Sequence, residues 1–364
     1  MRPSCPSLAF ASCSKLAAAV AAAALSLSAG QALALDILVC NDDGFTSANI
    51  RALYQRLGQA GHRVVISAPV DNQSGRGGYV SFLAPVPKIA ASYVDPYTGA
   101  TVVPRAVKAT YPALAGTAGI GTDPADANIA YVNGSPVMAC LYGMDVLAPK
   151  VFGGLPQLVI SGPNEGNNTG HINVSSGTVN NTYYAINRGL PAIGVSDAVS
   201  TSVEFTALSS TSRAWEVADI VTRIVKRLAN RQTRTGEALL PAGSGLNVNI
   251  PAFSAGTGAS LPLVLTQMGQ ATSYAPAFYE DLGASALGKL YGIPAGYGLA
   301  GVSLASAGTT LPSGVVLPTD ANASSEGNVI QAGGKVSVSV IRGVPEASTL
   351  QVRGVQQRLG GLLN

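Results

Sequence analysis

Three polar clusters in this chain each follow a short apolar run: Asn41-Asp42-Asp43-Gly44, Asp71 to Gly78 (DNQSGRGG), and Gly162 to Gly170 (GPNEGNNTG). Adjacent carboxylates at the close of a buried strand repel each other, and without a cation one of them tends to keep its proton. A divalent ion removes that conflict. Two carboxylates joined by hydroxyl, amide and water oxygens make a hard-oxygen site suited to Mg²⁺ or Mn²⁺. The plainer alternative is that Asp43 caps its turn and Asp42 faces solvent. A fourth stretch, Ser176-Gly177-Thr178, opens a helical pattern, where free N–H groups and the positive dipole end form an anion site. Capping of that helix by Ser176 needs no ligand at all. A cation beside an anion-binding helix start is the apparatus for phosphate-ester chemistry.

The elements that must position these residues read as an α/β alternation. Asp36 to Cys40 is a short buried strand. Thr46 or Ser47 caps a helix in which Ile50, Leu53, Tyr54 and Leu57 recur at helical spacing, and Gly58 and Gly61 mark its end. His62 to Pro69 is the next strand, and a right-handed crossover makes the pair parallel. Further strands are expected at Asn128 to Val132, Leu155 to Ser161, Leu190 to Ser196 and Leu246 to Pro251. Helices are expected from Pro136 to about Leu147, from Gly177 to Arg188 and from Ala214 to Leu228, with a long loop from Gly162 to Ser176. In an open parallel sheet ligands collect at the carboxyl ends of strands, and all three polar clusters stand at such ends. Leu83 to Gly119 suggests strands outside the main layer. Pro262 to Gly334 is loop-rich, Val336 to Ile341 alternates as a strand, and Thr349 to Leu359 reads as a closing helix.

Composition narrows the function classes. A net charge of +3 over 364 residues offers little pull on a polyanion, so no nucleic-acid polymer is expected as a partner. Only two histidines are present, which excludes a three-His zinc site. Arg2, Lys15, the apolar stretch Leu16 to Ala29 and the small-x-small triplet Ala32-Leu33-Ala34 read as a signal peptide over residues 1–34. An exported protein follows, periplasmic or secreted, with no stable membrane insertion after cleavage. Cys40 and Cys140 could pair in an oxidising compartment, although both lie in apolar runs, where a buried free thiol is the commoner case.

The motifs taken together resemble the SurE family. The resemblance rests on Ile37 to Gly44 (ILVCNDDG), Ala68-Pro69 with Asn72 to Gly75, Gly134-Ser-Pro136, Ser161-Gly-x-Asn164 with Asn168-x-Gly170, Ser176 to Val179, and Pro191-Ala-Ile-x-Val-Ser196. They stand in family order; Leu246 to Pro251, Thr319-Asp320 and Gly334-x-Val-Ser-Val338 extend the pattern. The family comprises metal-dependent 5′/3′-nucleotidases and acid phosphatases acting on phosphomonoesters. The resemblance implies one divalent ion per subunit, Mg²⁺ or Mn²⁺, with ligands at Asp42, Asp43, Ser74 and Asn164. It places Asn168, Ser176, Gly177 and Thr178 near the phosphate; the mechanism expected has Asn164 assisting them, Asp42 as general base or nucleophile, and Asp43 in the catalytic pair mainly as a ligand. A nucleoside monophosphate or other phosphomonoester is the implied substrate, and a dimer or tetramer the implied assembly. The fold expected is a three-layer, Rossmann-like, mostly parallel sheet over residues 35–261. A loop- and strand-rich extension over 262–341 could serve as an oligomerisation arm, and 342–364 forms a tail. Pro163, Ser135 and Met138 depart from the family pattern.

Other residues carry weaker expectations. His171 is a candidate acid or a bystander, His62 is structural, Glu165 assists from behind the acids, and Arg76 meets a phosphate or base or is solvated. A haloacid-dehalogenase-type phosphatase would need Asp-x-Asp, which Asn41 and Gly44 break. From a different class, an exported solute- or phosphate-binding protein with a phosphatase-like cleft and no turnover would show the same motifs.

Overall fold

The computed structural model describes residues 34–95, 99–269, 274–290, 292–296, 298–344 and 347–359, together with Met1. Residues 2–33, which hold nearly all of the expected signal peptide, lie outside the described residues. Among those described, no helix is long and apolar enough to cross a membrane.

The run DILVC forms β1 (Asp36–Cys40), whose residues are almost all buried, as a central strand of a parallel sheet requires. It lies between β2 (Arg63–Pro69) and β7 (Leu158–Glu165), parallel to both. The sheet then grows outward in both directions. β2 pairs with β6 (Asp126–Val132); β7 pairs with β8 (Ala192–Asp197), which pairs with β9 (Ser244–Ile250), all parallel. The order of growth reverses between β1 and β7, and a crevice opens at their carboxyl ends, the usual place for a ligand in such sheets. Antiparallel strands close both edges: β5 (Ile120–Asp123) on β6, and β13 (Val336–Arg342) on β9, with β10 (Leu263–Thr266) parallel to β13. The nine-stranded order is β10-β13-β9-β8-β7-β1-β2-β6-β5.

Helices cover both faces. On one, α1 (Ala48–Gln59) and α6 (Arg213–Thr235) pack Ile50, Leu53, Val217 and Val221 against Ile37, Val39, Ile66 and Ile160. On the other, α3 (Pro136–Tyr142), α4 (Ala148–Phe152), the turn between them and α5 (Gly177–Asn187) pack Cys140, Leu147 and Ile186 against Leu38, Val65 and Val159. This is the expected three-layer α/β fold.

Several local expectations change. Neither Thr46 nor Ser47 caps α1: the Ser47 hydroxyl donates instead to Glu165 Oε1 at 3.1 Å, and Thr46 Oγ1 is buried without a partner. A carboxylate is the stronger acceptor, so it draws the hydroxyl from the helix end. The helix after Pro136 passes through a π turn at Gly143–Leu147 and continues as α4 to Phe152. Pro149 falls in the first turn of α4, where its missing N–H is tolerated. β7 does not stop at Ser161. After a register shift, its pairing with β8 resumes at Asn164↔Ser196 and Glu165↔Asp197, so the third polar cluster begins inside the strand.

Residues 83–119 hold the small pair β3 (Tyr93–Val94) and β4 (Thr101–Val102), followed by α2 (Arg105–Ala109). Beyond β10 come β11 (Tyr274–Tyr279), the short helix α7 (Ala286–Leu290) and β12 (Gly301–Ser306), which pairs antiparallel with β11, then α8 (Glu326–Ala332), β13 and α9 (Thr349–Leu359). Cys40 and Cys140 are joined as a disulfide between β1 and α3, so the commoner expectation of free thiols does not hold. Both residues are fully buried. Packing of α3 on β1 brings together two cysteines one hundred residues apart, a proximity with no local signature in sequence.

Candidate active site

The turn after β1 is closed by Asn41, whose side chain donates to the Gly44 carbonyl at 3.0 Å and accepts from the Gly44 N–H at 3.2 Å. Gly44 has φ +108°, in the region that favours glycine. The turn leaves Asp42 and Asp43 side by side with only 3% and 0% of their surface exposed, which excludes a solvent-facing Asp42. Burial pushes the Asp42 carboxyl above the usual range. It pushes Asp43 well above, and the neighbouring charges of Asp42 and Glu165 add to it.

The start of α5 closes on Asp42. Thr178 Oγ1 donates to Asp42 Oδ1 at 2.7 Å, and the Gly177 N–H also bonds this carboxyl. A Cβ on Gly177 would stand 2.6 Å from Pro136 Cγ and 2.8 Å from Asp42 Cβ, so only glycine lets the helix approach this closely. Gly177→Ala is therefore expected to push α5 off the acids. Any turnover that depends on these acids should fall by about a hundredfold, a typical cost of ångström-scale misplacement, and steady-state kinetics on the folded variant measures it. Ser176 accepts from the Val179 N–H at 3.1 Å, so its side chain caps the helix.

Asp43 is held from the other side. Its Oδ2 accepts from the Glu165 N–H at 3.0 Å, its Oδ1 from Asn72 Nδ2 at 3.4 Å, and its carbonyl from Arg105 Nη1 at 2.9 Å. From the second cluster, then, Asn72 is the side chain that touches the acids. Ser74 is exposed, and its N–H bonds Asn72 Oδ1 at 2.8 Å.

Asn164 is 7% exposed, and its Nδ2 donates to the Gly166 carbonyl at 2.7 Å. Its Oδ1 is buried without a hydrogen-bond partner. A buried carbonyl oxygen left unpaired costs free energy unless something else binds it. Two carboxylates that repel each other and an unpaired amide oxygen fit a hard divalent cation. Among the described residues there is no cluster of three His, Cys, Asp or Glu arranged to hold a metal; the donor set here depends on neutral oxygens beside the two acids.

Asn168 lies in a separate lattice of amides. Its Nδ2 donates to Ser196 Oγ at 2.9 Å, its N–H to Asn249 Oδ1 at 2.9 Å, and its carbonyl accepts from Asn247 and Asn249. Glu165 supports the site through its main chain, with its carboxylate turned away to Arg105, which bonds both of its oxygens at 2.9 and 3.1 Å. His171 is exposed. His62 is structural: its Nδ1 accepts the Leu35 N–H, and burial lowers its pKa. Arg105, Asn72 and Glu326 were not singled out from sequence; Asn72 stood in a polar cluster, whereas Arg105 and Glu326 carry no motif.

A cleft of about 250 Å³ adjoins the acids, lined among others by Gln73, Arg76, Tyr79, Asn133, Ser135 and Met138. A main-chain contact ties it to them: the Gln73 N–H donates to the Asp42 carbonyl at 2.8 Å.

Fold and site together define an α/β protein whose oxygen-donor centre sits at the crevice of a reversing parallel sheet. Residues 37–274 match the family model described as Survival protein SurE, and the chain belongs to that family. It is 35% identical over 218 residues to an acid phosphatase of Yarrowia lipolytica, covering 59% of this chain and 56% of that protein. It is 31% identical over 235 residues to a 5′-nucleotidase SurE of Methanocella arvoryzae, covering 64% of this chain and 71% of that protein. The match to the Yarrowia protein thus spans little more than half of that relative. A crystal structure of the SurE protein from Aquifex aeolicus aligns with TM-score 0.56 at 22% identity, covering 88% of this chain and 98% of that one, and shares the fold.

Proposed function

We propose that the protein is a phosphomonoesterase of the 5′-nucleotidase and acid phosphatase type, acting with one divalent ion, Mg²⁺ or Mn²⁺. The observation that carries this reading is the pair of fully enclosed acids facing the start of α5, with the unpartnered Asn164 Oδ1 in the neighbouring strand. Asp42, Asp43, Ser74 and Asn164 are assigned as the ion's ligands. The chemistry such an ion supplies when bound is Lewis acidity toward a phosphoryl oxygen. Gly177 and Thr178, with Asn164 and Asn168, orient the phosphate and favour charge on its oxygens. Thr178 fixes the Asp42 carboxylate, which acts as nucleophile or as acceptor of a water proton. The cleft beside the acids receives the leaving group. Tyr79, Gln73 and Arg76 line it, and an aromatic side chain beside polar ones suits a nucleoside.

The named relatives support the reading, one an acid phosphatase and the other a 5′-nucleotidase. Export is part of the proposal, and the buried Cys40–Cys140 disulfide supports it, since such bonds persist in oxidising compartments. A homo-oligomer belongs to it too; the exposed Phe278 and Val302, paired across β11 and β12, are a surface suited to assembly.

The test is hydrolysis of p-nitrophenyl phosphate and of nucleoside monophosphates with and without EDTA. Turnover should vanish in chelator and return with added Mg²⁺ or Mn²⁺. Turnover indifferent to EDTA rejects the metal assignment. Phosphate binding without any product, under either condition, favours the exported binding protein instead.

A further inference from the structure

Glu326 is a fully buried carboxylate that the proposed chemistry does not use. It opens α8 in the C-terminal extension, where its N–H donates to the Gln267 carbonyl just past β10. Its side chain reaches into the loop after β7. Oε2 accepts from the Gly170 N–H at 3.1 Å and from Asn173 Nδ2 at 3.2 Å, and Oε1 accepts from Asn247 Nδ2 at 2.8 Å. Ser339 of β13 adds a further side-chain hydrogen bond. All four donors are neutral. Taking a charge out of water against neutral donors alone is costly, and burial accordingly pushes this carboxyl above its ordinary value. Such an expense asks for a return, and the partners indicate one.

Those partners converge on Asn168. Asn247 Nδ2 bonds both Glu326 and the Asn168 carbonyl, the latter at 3.0 Å. Asn249 bonds the same carbonyl and also accepts the Asn168 N–H. Two residues on, Glu326 itself takes the Gly170 N–H. The peptide on the far side of Asn168 is thus pinned by an acid lying more than one hundred and fifty positions downstream. The loop is held both ways: its N–H groups and the Asn173 amide donate to Asn249 and Glu326, and its Asn168 carbonyl accepts from Asn247 and Asn249, so its shape is set by these partners.

We propose that Glu326 is a positioning residue, through which the C-terminal extension holds the Asn168 loop in the shape that receives phosphate. The inference rests on the proposed reading in which Asn168 contacts phosphate. It also makes the extension part of the working site.

A double-mutant cycle on the full-length protein tests it: Glu326→Gln, Asn168→Ala and the two together. Gln keeps the shape of the side chain but turns an NH₂ toward N–H donors that need an acceptor. Three quantities are read: kcat/KM for p-nitrophenyl phosphate, the inhibition constant of inorganic phosphate, and the Mg²⁺ concentration at half-activation. Glu326→Gln should lower kcat/KM by about tenfold to a hundredfold and weaken phosphate inhibition by a similar factor. Half-activation by Mg²⁺ should not move, because Asp42, Asp43 and Ser74 lie on other segments and Asn164 is held in β7, ahead of the loop; a merely destabilising change would not separate phosphate from metal in this way. In the Asn168→Ala background the same substitution should change kcat/KM by less than about threefold, since coupled residues do not add. An undiminished factor in that background, or parental activity in Glu326→Gln, overturns the role of Glu326 alone. Parental activity in Asn168→Ala overturns the reading of the site itself. If Glu326→Gln fails to fold by circular dichroism, Asn173→Ala takes its place with the same outcomes, since it removes the loop's side-chain tie and leaves the acid in position.

Discussion

On the proposed function, Asp42→Asn and Asp43→Asn should each lower phosphomonoester hydrolysis by about a thousandfold or more, while the protein stays folded. The loss follows from what the two carboxylates are placed to do. Asp42 is gripped by Thr178 and Gly177 at the mouth of α5, and Asp43 is held by the Glu165 N–H. An amide keeps the shape but cannot accept a proton, attack phosphorus or balance a cation's charge. Residues that act as one unit lose most of their effect when any member is removed. Stability should move the other way. In chelator, two adjacent carboxylates with almost no exposed surface repel each other and lack water. Removing one charge relieves that conflict, so each Asn variant should melt no lower than the parent in EDTA. Sites built for function often carry such a cost. Kinetics with saturating Mg²⁺ and thermal melts in EDTA check both halves. Turnover retained in either variant with metal present rejects the assignment of the acids.

The parts of the site that sequence reveals are those whose signal is local. An apolar run of five residues ending in Asn-Asp-Asp-Gly names both strand and turn, and helical spacing of Ile50, Leu53 and Leu57 names the crossover, so β1, α1 and β2 are readable in order. Ser176-Gly177-Thr178 reads as a helix start for the same reason. What sequence does not reveal depends on distant packing. Continuation of β7 through Gly162-Pro163 is decided by β8, which offers Ser196 and Asp197 as partners; glycine and proline signal only a break. Cys40 meets Cys140 because α3 lies on β1. In the C-terminal extension the weak motif at Thr319-Asp320 draws the eye, yet the buried acid is Glu326, six residues on. Its burial follows from β10 and β13 joining the main sheet, a pairing no periodicity announces. Arg105 is the clearest case. It stands after Pro104 in a segment of little regular structure, and nothing in its neighbourhood marks it as a hub.

That hub supports the largest expected change in stability. Arg105 Nη1 and Nη2 bond both oxygens of Glu165, Nη1 also bonds the Asp43 carbonyl, Nη2 the Val203 carbonyl at 2.8 Å, and Nε the carboxylate of Glu204. The Arg105 and Glu165 side chains are only 8% and 5% exposed. Arg105→Ala would leave the Glu165 carboxylate buried with Ser47 Oγ at 3.1 Å and a long contact to the Val203 N–H at 3.4 Å. Breaking a buried ion pair from one side costs about 3–5 kcal/mol, because the remaining charge is uncompensated. A loss of that size should appear in urea denaturation of the metal-free protein as a lower midpoint with an unchanged slope. Arg105→Lys should fall between, since an ammonium cannot match the planar fork that meets two carboxylate oxygens. Arg105→Met with Glu165→Met should recover much of the loss, the pair being replaced by apolar side chains of similar reach. Activity should separate from stability in that double variant: the fold returns, but the Asp43 carbonyl still lacks its guanidinium donor, so turnover stays below the parent's. An Arg105→Ala midpoint within experimental error of the parent would show that Glu165 is satisfied without its guanidinium, and the strut behind the acids would have to be sought elsewhere.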